Sequence, residues 1–216
     1  MQMLGEIAKS QAEQWAAFEH LPAGTLGRRM CEFYRARGFA FPGSPGSAPP
    51  LLAQHDFVHV VADFGTRVES ELEVFALIAR ANDDPRGFSL LAMVVSLFET
   101  GYLAAGAGLF ESFPGQLSQA GMAVRLADAL RRGALSHGPD GQPDVDLLAV
   151  DWFTHADRPV EELREAFGIV PKAPEAVAAG SVGPWERGGI SPYQWTTARE
   201  AAATAGHEYE SYGAEP

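Results

Sequence analysis

Cysteine is almost missing from the chain: Cys31 stands alone among 216 residues. No internal disulfide can form, and zinc sites that need two or more cysteines are excluded. Cations are scarce as well. Sixteen Lys and Arg face 28 Asp and Glu, a formal charge of -12 that opposes phosphate backbones and anionic headgroups. Basic residues gather only at Arg28, Arg29, Arg35 and Arg37, with Arg131 and Arg132 as a pair, so nucleic acid is not an expected partner. Uninterrupted apolar runs are lacking too. Met1 to Gln14 has no signal-peptide core. Phe88 to Phe110 is broken by Glu99, Gly101, Gly106 and Gly108, so it would span a membrane badly and reads as a buried, central core helix. Strand-like runs are few, Val58 to Ala62 being the best. A reducing cytoplasm is the expected compartment.

What is present is an ordinary globular mix, 46% hydrophobic and 20% charged, at a length suited to one domain with tails. Apolar positions at helical spacing predict helices over 4–20, Leu26 to Arg37 with Gly38 as a stop, and Leu51 to Phe64. Gly65-Thr66 breaks the third of these, with Thr66 able to cap a helix from Arg67 to about Ala81. Ser89 can cap the apolar helix that follows. Gln116 to Arg132 is the next helix, closed by Gly133, and Pro159 to Phe167 is the last, stopped by Gly168 and Pro171. The predicted fold class is all-α: a single helical domain over 1–171, an αα-hairpin, and a largely irregular tail, 172–216, packing on that domain or extending from it.

Chemistry concentrates at His55, Asp56, His59 and Glu71. Four residues apart on a helix, His55 and His59 share one face about 5–6 Å from each other, a spacing suited to two ligands on one ion. Asp56 offers a carboxylate as a further ligand or as an orienter of the neighbouring ring. On a continuous helix Glu71 would lie about 18 Å from His59. Gly65 is six residues from each, so a reversal there returns Glu71 to their level. Two imidazoles and two carboxylates suit a divalent metal, zinc first, with iron or manganese also compatible.

The pattern His55-Asp56-x-x-His59, eleven residues, then Glu71 resembles the metal-ligand signature of the coenzyme Q biosynthesis protein 4 family. Glu73 to Arg80, and Trp152 to Pro171 with Glu161-Glu-Leu-Arg164 and Gly168-Ile-Val-Pro171, are similar less specifically. The resemblance covers roughly residues 10–171. It implies an all-helical, metal-binding protein of ubiquinone biosynthesis, with His55, Asp56, His59 and Glu71 as ligands; an enzyme built on that metal would use Glu71 or Asp56 to move protons. It also implies removal of a ring carboxylate, hydroxylation of that carbon, and binding of isoprenoid chains. Expected partners are a prenylated quinone precursor or another isoprenoid lipid and other quinone-biosynthesis proteins; a homodimer and peripheral contact with the inner membrane face are compatible with this. Ser70 departs from the family, which usually has glycine before the Glu, and the tail has no recognised counterpart.

Two other functions compete: a non-catalytic scaffold that presents an isoprenoid intermediate, and an HD-type metal phosphohydrolase using His20, His55-Asp56 and Asp128 or Asp146. Leu90 to Phe110 could line an apolar groove, or simply pack as core. Arg28, Arg29, Arg35 and Arg37 could hold an anionic headgroup, or form a solvated helix face. His137, His155 and His207 read as surface or loop residues, Trp152 and Phe153 as core.

Overall fold

A computed structural model describes residues 13–44, 47, 50–82, 85–101 and 114–216. Its regular structure is helical throughout. After a helical stretch over 13–18 come α1 (Leu26–Arg37), α2 (Pro50–Ala62), α3 (Val68–Ala81), α4 (Pro85–Glu99), α5 (Met122–Leu135), α6 (Val160–Ala166), α7 (Pro174–Ala178) and α8 (Pro192–Thr204). Short 3-10 turns, Gln116–Ser118 and Trp152–His155, fill two of the connections. The all-α reading therefore holds for the described residues. Residues 4–12 of the first expected helix lie outside them, as do 102–113, which hold Gly106, Gly108 and the end of the expected groove.

α1 ends where the sequence says it should. Gly38 takes the left-handed conformation, φ 68°, and its N–H donates to the Arg35 and Tyr34 carbonyls, a closure that a side chain would strain. The start of α1 is tied to that of α6 by Leu26 N–H on Arg158 O and Val160 N–H on Gly24 O. Trp15, Leu26, Phe33, Phe57, Phe64, Leu77, Trp152, Leu163 and Phe167 fill the core, none more than 1% exposed. Trp152 is thus core, as expected, and Phe153 is partly buried against it.

The central helix is α3, packed against both α4 and α5, rather than the apolar helix after residue 88. In α4 only Val94 and Phe98 are buried, while Phe88 and Met93 are 46% and 51% exposed. It is an outer helix, and no described helix is long and apolar enough to cross a membrane. Ser89 does not cap it: the helix opens at Pro85, whose missing N–H is no loss there, and Ser89 Oγ donates back to Pro85 O. Nor does Gly133 stop α5, which runs on to Leu135. A methyl at Gly133 would stand 2.4 Å from Leu77 O, so this glycine lets α3 and α5 approach closely. In the tail the fading periodicity hides two helices, α7 and α8, the latter opened by a capping box between Ser191 and Gln194.

Each arginine of the basic cluster is already engaged. Arg28 and Arg29 pair with Glu32, and Arg35 with Glu19. Arg37, 2% exposed, donates to backbone carbonyls.

Candidate metal centre

The α2–α3 connection makes the expected reversal, with Asp63 at φ 62° and Phe64 N–H on His59 O. It brings the first turn of α3 back beside α2. His55 Nε2 and His59 Nε2 stand 2.7 Å apart. Glu71 reaches both, Oε2 lying 3.0 Å from His55 Nε2 and Oε1 3.4 Å from His59 Nε2. Ligand atoms of these three residues all fall within 4.8 Å of one another, and they form the one such group found among the described residues.

The remaining ring nitrogens decide what this means. His59 Nδ1 is 2.8 Å from Gly65 O; a carbonyl can only accept, so Nδ1 carries the hydrogen and Nε2 presents a lone pair. His55 Nδ1 lies 3.3 Å from Asp56 Oδ1, which fixes its tautomer in the same way. Two lone pairs and a carboxylate thus face one buried point, with side-chain exposures of 13%, 0% and 5% for His55, His59 and Glu71. Such a convergence repels itself unless a cation, either a proton or a metal ion, lies between the donors. In the metal-free protein a proton takes that place. Burial works to lower the pKa of His55, but the Glu71 charge and bonds to Asp56 and Glu71 prevail and hold it well above the usual histidine range, at about 10. Burial works to raise Glu71, and the two imidazoles hold its carboxyl down to about 2.

Asp56 is not brought into this group. Its Oδ2 accepts a 2.6 Å hydrogen bond from Tyr34 Oη and its Oδ1 faces His55 Nδ1, so the carboxylate backs the ring of His55 as an orienter. The site roles of Tyr34 behind Asp56 and of the Gly65 carbonyl behind His59 carry no local signal in the sequence. Phe75 stacks on His55, ring centroids 5.0 Å apart at 13°, and Phe33 lies 5.9 Å from His59.

Comparison with known proteins finds a likeness among solved structures alone. No family model matches the sequence. No curated protein matches it either. Among solved structures, a "putative ubiquinone biosynthesis protein" from Nostoc punctiforme superposes with a TM-score of 0.49 at 20% identity, covering 79% of this chain and 81% of that one. At that score and identity the likeness carries no weight for the chemistry of this chain.

The donor set fits a divalent metal ion. Two imidazoles and one carboxylate, joined by no fourth protein ligand among the described residues, match the three-ligand pattern of catalytic zinc and the facial triad of non-haem iron alike. The nitrogens at 2.7 Å would have to part slightly, since two ligands at about 2.1 Å from a tetrahedral ion are roughly 3.4 Å apart. The phosphohydrolase set does not assemble. His20 and Asp146 are exposed, and Asp128 is bound to Arg131 and to Ala173 N–H.

Proposed function

We propose that this protein binds one divalent metal ion, zinc first and iron or manganese next, through His55, His59 and Glu71. We further propose that it acts in quinone metabolism on a prenylated aromatic ring. The observation that carries the metal reading is the convergence of two lone-pair nitrogens, each fixed from behind by an acceptor, on a buried carboxylate. The quinone reading rests on the resemblance of the His55-Asp56-x-x-His59 and Glu71 spacing to the ubiquinone-biosynthesis signature.

A bound ion would supply Lewis-acid charge to a ring oxygen or carboxylate in a site shielded from water. The chain's own residues set the stage for it. Gly65 O and Asp56 hold both rings in the lone-pair-inward tautomer, and Tyr34 O–H holds Asp56 in turn. Glu71, whose two oxygens face different imidazoles, serves in this reading as the ionised carboxylate ligand, with His55 carrying the proton when no metal is bound. Both Asp56 oxygens already have hydrogen-bond donors, which suits orientation better than proton transfer.

The test is elemental analysis of the purified chain beside its His59→Ala variant, followed by incubation of the metal-loaded chain with a prenylated 4-hydroxybenzoate. Stoichiometric metal lost in the variant, with release of carbon dioxide from the ring, is the expected result. Equal metal in both proteins would end the metal reading, and no turnover would favour a binding or scaffold role.

A further inference from the structure

The tail from 172 onward lies outside the family resemblance, yet it closes around the turn that carries the proposed metal site. Gly65 N–H donates to Val182 O at 3.1 Å and Thr66 N–H to Gly189 O at 3.0 Å, so the backbone donors of this turn are satisfied by tail carbonyls. Gly65 and Gly189 meet backbone to backbone: a methyl on Gly65 would stand 2.8 Å from Gly189 Cα and from Gly189 O. Side chains lock the junction. Thr66 Oγ1 donates to Gln194 Oε1 at 2.6 Å and accepts from Arg37 Nε at 2.9 Å. Arg37 Nη2 donates to Pro184 O at 3.0 Å and Gly189 O at 2.8 Å, while its guanidinium covers the Phe33 ring at 3.9 Å. Arg37, Thr66 and Gln194 are each 2% exposed.

The far side of that turn is the Gly65 carbonyl, which fixes the tautomer of His59. Outer hydrogen-bond partners of metal ligands tune affinity because they set ring orientation and the position of the lone pair. The carbonyl that holds His59 and the Thr66 N–H that the tail holds are the two ends of one planar peptide group. Displacing the tail therefore moves a ligand's anchor.

We infer that residues 182–194 act as a strap that positions His59 for metal binding, with the Thr66 hydroxyl as the joint between the strap, Arg37 and the metal-bearing turn. Thr66 is a positioning residue, and the inference rests on the metal reading proposed above.

The experiment compares the full chain with Thr66→Val, Thr66→Ser and Gln194→Ala. Zinc affinity is read by competition with a chromophoric chelator, and exchange of the His59 Nδ1 proton by NMR on the metal-free proteins. Thr66→Val is expected to bind zinc about 10- to 100-fold more weakly and to exchange that proton faster, Gln194→Ala to move both in the same direction, and Thr66→Ser to stay near wild type. Gln194→Ala keeps the comparison open should Thr66→Val fail to fold. Wild-type affinity and exchange in both Thr66→Val and Gln194→Ala, with His59→Ala abolishing binding, would overturn the strap alone. Equal losses in Thr66→Ser and Thr66→Val would also overturn it. A wild-type chain that binds no zinc would overturn the metal reading and the strap with it.

Discussion

Replacing Gly133 by alanine sets two effects of opposite sign against each other. Within α5, alanine is the better helix former by about 1 kcal/mol, so a glycine that merely ended or loosened the helix would be improved by the change. The added methyl, however, would stand 2.4 Å from Leu77 O, 3.1 Å from Ala81 N and 3.1 Å from Arg80 Cβ. The first two are backbone atoms of the central helix, unable to rotate away, so α3 and α5 must separate by several tenths of an ångström. Overpacking of this kind costs about 1–3 kcal/mol, and a backbone obstacle places it in the upper part of that range. The net expectation is a loss of about 1–2 kcal/mol, or about 2–8 °C in Tm for a chain of this size. Urea and thermal unfolding followed by circular dichroism measure it. A Gly133→Ala variant as stable as wild type, or more stable, would refute the close α3–α5 contact.

Three further outcomes follow from the site and its frame. Tyr34→Phe leaves Asp56 without its 2.6 Å donor and is expected to weaken zinc binding about tenfold without abolishing it; complete loss in a chelator competition would mean that Asp56 or Tyr34 has a more direct role. Gly65→Ala, which forces a methyl against Gly189, is expected to release the tail, so limited proteolysis should cut after residue 180 in the variant and not in wild type. The metal-free protein is expected to lose stability on both sides of neutrality. His55, raised to about 10, contributes stability that is full below its unfolded pKa of about 6.5 and is lost as pH rises through its folded value. Glu71, held down to about 2, contributes stability present above its unfolded pKa of about 4.3 and lost as pH falls through its folded value. Urea midpoints from pH 3 to 10 that show no decline at either end would contradict the coupled pair.

The helices that the sequence announces are those with a strong period and a local stop. α1 and its Gly38 closure are of this kind, and so is the turn at Gly65 that returns Glu71 to the two histidines. Where the structure departs from the sequence reading, the deciding partner is distant in sequence at Gly133, Thr66 and Asp56 and local only at Ser89. Gly133 looks like a helix stop until Leu77 is placed across from it. Ser89 looks like a cap until Pro85, four residues earlier, opens the helix. Thr66 also reads as a cap, but its hydroxyl serves Arg37 and Gln194 instead, and α3 begins after an uncapped Arg67. The role of Asp56 turned on Tyr34, 22 residues away, so the two alternatives of ligand and orienter could not be separated from spacing alone. α8 is rich in alanine and lacks an apolar stripe, which left only its Ser191-Pro192 opening and Gln194 as signals.

The central claim is that His55, His59 and Glu71 share one ion. An anomalous difference map from crystals grown with zinc, collected on either side of the zinc absorption edge, tests it most directly. The account expects a single strong peak within about 2.0–2.2 Å of His55 Nε2, His59 Nε2 and a Glu71 carboxylate oxygen, with Asp56 still bonded to Tyr34. A map with no peak there, or with its peak bound elsewhere on the chain, would contradict it.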